Sequence, residues 1–136
     1  MKKDNSKETK ASTLHDYPIH EIYATSESLG YVIEEMHLGG EKGPDVIIRN
    51  SVNGKGVIVE SEIGHNITSA TYAKLERELR DYVLSEKSVA VVVITETPRR
   101  VWSKNLKSAK PRENFFVVGG SVFKDVMPSL LVKLLE

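Results

Sequence analysis

The chain has 136 residues, 40% of them hydrophobic and 28% charged, with 19 basic and 19 acidic side chains. Those figures describe one ordinary soluble domain, long enough to bury about two-thirds of its unfolded surface. No apolar stretch approaches the roughly 18 residues of a membrane span, and the lysine-rich start lacks the apolar segment of a signal peptide, so a cytoplasmic location is expected. The absence of cysteine excludes disulfide frameworks, thiolate nucleophiles and Cys-ligated zinc or iron–sulfur sites, which leaves oxygen or imidazole ligands for any metal.

Residues 1–13 are polar and basic without apolar periodicity and read as a flexible tail ahead of a single domain over 14–136. Ile19, Ile22, Tyr23 and Leu29 share one helical face, predicting a helix from about Pro18 to Leu29 that Gly30 ends. YVIEEMHL then reads as a strand, unless the helix runs on through Glu35. PDVIIRN and KGVIVESE are short apolar runs joined through Asn53-Gly54, a hairpin signal, and should pair antiparallel.

Thr68 or Ser69 can cap a second helix, ending near Leu84, whose buried stripe is Tyr72, Leu75, Leu79, Tyr82 and Val83 with its charged residues outward. SVAVVVITE has the β-branched continuity of a strand covered on both faces, and is expected at the centre of the sheet. A long basic connection leads to the strand NFFVVGG. A final apolar helix follows, starting or kinking at Pro128. Gly119-Gly120 before Ser121 reads as a tight turn. Helix, strand, hairpin, helix, strand, strand, helix is an α/β arrangement on a mixed sheet.

Charge is unevenly spread. From Ala11 to Glu62 nine acids stand against Lys42, Arg49 and Lys55, whereas Arg99, Arg100, Lys104, Lys107, Lys110 and Arg112 follow one another with no acid between them. An acidic block and a separate basic block suit a protein that binds a cation with one surface and a polyanion with another.

The acidic block carries the more specific pattern. Residues two apart on a strand share a face, and a hairpin brings the end of its second strand opposite the start of its first, so Asp45, Glu60 and Glu62 can converge. One like-charge pair at 4 Å costs about 4 kcal/mol at an effective dielectric near 20, so such a cluster needs a cation or a proton. An all-oxygen set suits Mg²⁺ or Mn²⁺, and an ion held there can activate water and neutralise charge on a phosphodiester. His15, His20 and His37 form no HxxxH or HExxH spacing, which argues against a zinc hydrolase.

GPDVII followed by VIVESE, with Glu60 fifteen positions after Asp45 and in this element order, resembles the PD-(D/E)XK nuclease superfamily over roughly Pro18 to Glu96. The resemblance implies a restriction-endonuclease-like αβββαβ core and a Mg²⁺- or Mn²⁺-dependent endonuclease. Asp45 matches the motif aspartate and Glu60 its first acidic residue. Glu21 fits the helical glutamate of some members, including archaeal Holliday-junction resolvases. Where the family has lysine this chain has Glu62, and the lysine's place falls to His65 or to Lys74 on the following helix.

The basic stretch completes the expectation. Arg99, Arg100, Lys104, Lys107, Lys110 and Arg112 would hold a nucleic-acid backbone while Trp102 stacks on a base or wedges at a junction. DNA is the expected partner, with RNA open. A homodimer is expected, with Leu130, Leu131, Leu134 and Leu135 as one interface. The alternative is a non-catalytic nucleic-acid-binding module on a degenerate nuclease fold.

Overall fold

The computed structural model describes residues 6–38, 43–63 and 66–136, with residues 6–14 described through their backbone alone. The acid-bearing hairpin forms as its pattern requires. Strands β2 (Val46–Arg49) and β3 (Gly56–Glu62) pair antiparallel, Val46 opposite Val59 and Arg49 opposite Gly56. The turn between them is closed by Asn50 and Gly54. Gly54 adopts φ +81°, which glycine reaches without steric cost, and its N–H donates to Asn50 O at 2.8 Å.

The first helix, α1 (Ser6–Ser28), is longer than Pro18–Leu29 and carries Pro18 inside it; residues 6–13 form its opening turns, and 1–5 lie outside the described residues. Next comes β1 (Val32–Met36), a strand and not a continuation of the helix, since Gly30 at φ +86° ends α1. It pairs antiparallel with β2.

After β3 the chain forms α2 (Ser69–Glu78), capped by Thr68, and runs into a single π turn, Leu79–Val83, in which Leu84 N–H donates to Leu79 O at 2.8 Å. Strand β4 (Ala90–Thr95), the short helix α3 (Arg99–Asn105), β5 (Phe115–Gly119) and α4 (Phe123–Leu135) complete the chain. The five strands lie in the order β1-β2-β3-β4-β5, with β3, β4 and β5 parallel. The sheet is therefore mixed and flanked by helices, broadly similar to restriction-endonuclease-like folds. Its central strand is β3; β4, expected there, is one place nearer the edge, although all its residues are buried.

Strand parity sorts the core into two layers. Val46, Ile48, Val57, Val59, Val92 and Ile94 face α1 and α4, while Ile47, Ile58, Val91 and Val93 face α2 and α3. Proline does not break α4, because its stripe Phe123, Met127, Leu131 and Leu135, spaced four apart, is buried throughout. Burying four such side chains gains about 1.5–3 kcal/mol each, which outweighs the roughly 3 kcal/mol cost of an interior proline. Leu131 and Leu135 are thus spent on the core, which corrects their expected place on a dimer surface, whereas Leu130 and Leu134 pack beside them half-buried.

A second correction concerns Trp102. Far from offering a face to a base, its ring is fully buried, packs edge-on against Tyr72 at 5.4 Å between centroids, and donates its Nε1–H to Thr97 O at 3.2 Å. The indole explains why the basic connection is a helix and not a loose loop: α3 is the element that delivers it to the core. Trp102→Ala should therefore lower stability by about 3–5 kcal/mol in chemical denaturation; a decrease below about 1 kcal/mol would contradict this packing. No helix among the described residues is long and apolar enough to cross a membrane.

Candidate metal centre

The acids occupy positions where their strands would otherwise present core residues. Asp45 shares the parity of Ile47, and Glu60 and Glu62 that of Ile58, so all three point to the side covered by α2 and α3. One step beyond the Val46–Val59 pair, Asp45 lies opposite Glu60, and its N–H donates to Glu60 Oε2 at 3.2 Å. Asp45, Glu60 and Glu62 are 4%, 0% and 7% exposed, and each offers an oxygen within 4.8 Å of the others. They form a buried acidic cluster able to hold a metal ion.

Three further side chains close on the cluster. Lys74, from α2, donates to Glu60 Oε1 at 2.9 Å and lies 3.7 Å from Asp45 Oδ1. Glu78, one turn further along α2, is buried against Glu60. From α1, His15 Nε2 lies 3.2 Å from Asp45 Oδ2, which also accepts from the Ser61 N–H at 2.8 Å. The expectation that the charged residues of α2 face outward is thus corrected for Lys74 and Glu78.

The electrostatics follow from burial and pairing. Burial works to raise Asp45, but the His15 hydrogen bond and the Lys74 charge prevail and hold its carboxyl below the usual range. Glu60 moves the other way: burial, then the negative charges of Glu78 and Asp45, push it well above the ordinary glutamate value. Burial likewise raises Glu78. Both carboxyls therefore resist ionisation. Burial opposes the charge on Lys74, but Glu60 and Asp45 outweigh it and raise the ammonium above its usual range, so Lys74 stays protonated. The hydrogen bond to Asp45 is the main cause raising His15 to about 9.

That shift makes a prediction for the metal-free protein. A histidine raised from 6.5 to about 9 contributes stability that is fully present below pH 6.5 and is lost as pH rises through 9. Urea denaturation in chelator should show this decline, of no more than about 3 kcal/mol, and His15→Gln should flatten it. A wild-type profile already flat over that interval would contradict the His15–Asp45 pairing.

The donor set fits a hard divalent ion: three buried carboxylates bring oxygens within 4.8 Å of one another, and a lysine ammonium stands between two of them. Other expected residues fall elsewhere. Glu21 is outside the cluster, its carboxylate 3.9 Å from Lys124, because it lies on a different face of α1 from His15. His65 lies outside the described residues. Arg100 and Lys104, one turn apart on α3, line a shallow depression of about 450 Å³ with Val101 and Asn105. Lys107, Lys110 and Arg112 are exposed beyond it, and Arg99 is half-buried. The segment holding them is fixed by Asn114, which accepts from Lys110 N–H at 2.6 Å and donates to Ser108 O at 3.2 Å.

His15 and Glu78 join the site although sequence spacing does not single them out. Glu78 has a sequence signal, since it falls inside the arc defined by Leu75, Leu79 and Tyr82. The chain matches no protein-family model, no curated protein and no solved structure. The class that fold and site define is accordingly physical: a mixed sheet flanked by helices with a buried acidic cluster that can take a metal ion.

Proposed function

We propose that the protein is a metal-dependent nuclease of the PD-(D/E)XK type that hydrolyses DNA phosphodiester bonds. The observation that carries this reading is the meeting of Asp45, Glu60 and Glu62 from a hairpin with Lys74 from the next helix, since the lysine missing after Glu60 in sequence is replaced in space. A divalent ion held by the three carboxylates would supply an activated water and neutralise charge on the phosphate. Lys74, kept protonated by its partners, serves as a fixed positive charge for the developing oxyanion and not as a base. Glu60 and Asp45 hold that ammonium in place. The presence of Lys74 in the site also weakens the case for a non-catalytic binding module, which rested on the lysine's loss.

Arg99, Arg100, Lys104, Lys107, Lys110 and Arg112 would bind backbone phosphates without reading sequence. Replacing Arg99, Arg100, Lys104 and Lys107 with alanine should weaken DNA binding and shallow the slope of log K against log salt, by about 0.9 for each duplex phosphate no longer neutralised. An unchanged slope would move the nucleic-acid surface elsewhere. A homodimer would supply the extent a long duplex needs, and sedimentation would show it. The reading is tested by incubation with supercoiled, linear, single-stranded and four-way-junction DNA, and with RNA, in Mg²⁺, Mn²⁺ and chelator. Chelator-sensitive cleavage supports it. Salt-dependent binding without cleavage in either metal would favour the binding module.

A further inference from the structure

Sequence spacing gives His15 no metal-binding motif, yet folding sets its ring between two carboxylates. Nε2 lies 3.2 Å from Asp45 Oδ2 and Nδ1 lies 2.8 Å from Asp16 Oδ1, with 15% of the side chain exposed. Asp16 on one ring nitrogen and Asp45, a member of the acidic cluster, on the other is a setting in which imidazole can bind a cation, although His15 lies outside the 4.8 Å group that Asp45, Glu60 and Glu62 form. With a cation bound, the outer carboxylate would hold the proton on Nδ1 and turn the Nε2 lone pair toward the ion. Independently, Glu78 is 4% exposed and lies against Glu60, and its Oε1 has no hydrogen-bond partner. That oxygen, buried beside the cluster, is the kind of group a bound cation or water satisfies.

We infer that His15 is an imidazole ligand of the cation bound by Asp45, Glu60 and Glu62, and that this nitrogen makes the site favour a first-row transition dication over Mg²⁺. The inference rests on the metal-site reading above. Mg²⁺ is hard, keeps its waters and favours oxygen, whereas transition dications gain from a nitrogen donor. Asp16 is then a positioning residue, fixing the ring's tautomer and direction. The contribution of α1 to the site is His15 and not Glu21, which faces Lys124.

Mn²⁺ is the probe. Its dissociation constant and that of competing Mg²⁺ would be measured by electron paramagnetic resonance on the full chain, for wild type, His15→Ala, His15→Gln, Asp16→Asn and Asp45→Asn. His15→Gln keeps an amide donor for Asp45 and guards against a folding defect. Both His15 variants should weaken Mn²⁺ at least about tenfold while moving Mg²⁺ less than about threefold, and Asp16→Asn should weaken Mn²⁺ about tenfold. Pulsed measurements on the Mn²⁺-loaded wild type should show a directly bound nitrogen that both His15 variants lose. Equal effects on the two metals, or no nitrogen coupling in wild type, would overturn the assignment of His15. If Asp45→Asn still released Mn²⁺ in that case, the metal site itself would stand. No Mn²⁺ binding by the wild type would overturn both.

Discussion

Asp45→Asn should abolish metal-dependent cleavage, with a rate loss on the order of 10³-fold, while the protein remains folded. Asparagine keeps an oxygen to accept the Ser61 N–H but brings no charge to a metal ion. The effect on the metal-free protein is where the structure changes the expectation. Three carboxylates in sequence suggest that removing one relieves repulsion and leaves stability intact. Asp45, however, is held ionised against burial by His15 and Lys74, so its charge is favourable in the folded state. The variant should lose about 1–3 kcal/mol in chelator, the range for a hydrogen bond to a charged group. Denaturation of both proteins in chelator, beside single-turnover cleavage in Mn²⁺, measures the two effects separately. Cleavage at the wild-type rate would remove Asp45 from the site, and a more stable metal-free variant would show that repulsion dominates after all.

The parts of the site legible in sequence are those fixed by short-range geometry. Strand parity and a turn at Asn53-Gly54 suffice to bring Asp45 to the same end and face as Glu60 and Glu62, but a two-residue turn there would set Asp45 opposite Glu62; the longer turn from Asn50 to Lys55 sets it opposite Glu60. Parity also gives Glu62, two residues on. What is not legible depends on where helices lie over the sheet. Lys74 can be named as a candidate, but its approach to Glu60 needs the rotation of α2, which burial of Leu75 and Leu79 sets. Glu78 follows from the same rotation. Pro18 hides His15: proline favours the first turn of a helix, so the sequence points to a helix beginning there, whereas α1 continues upstream through it. Trp102 misleads for the opposite reason. Six cations around one indole read as a surface, yet fully burying an aromatic ring outweighs the cost of folding a short polar helix around it.

Lys74 carries the second large effect, and it acts on catalysis and stability together. Lys74→Met should lower the single-turnover rate by about 10²–10³-fold, the usual cost of deleting one preorganised charge. Lys74→Arg, which keeps the charge on a bulkier group, should recover part of it. Because Lys74 stays protonated well above neutrality, no fall in rate on acidification should trace to it. A fall through about pH 6.5 that vanished in His65→Ala would instead assign water activation to His65. In chelator, Lys74→Met also removes the ammonium bonded to buried Glu60, leaving Asp45, Glu60 and Glu78 without it. Breaking a buried pair in this way costs about 3–5 kcal/mol. Adding Glu60→Gln removes one of the stranded carboxyls, so the double variant should be more stable than Lys74→Met alone, and the cycle reports the coupling directly. Unchanged stability in Lys74→Met would mean that the pairing with Glu60 contributes nothing. An unchanged rate in both Lys74→Met and His65→Ala, with Mn²⁺ binding intact, would leave the carboxylates and their ion sufficient for hydrolysis.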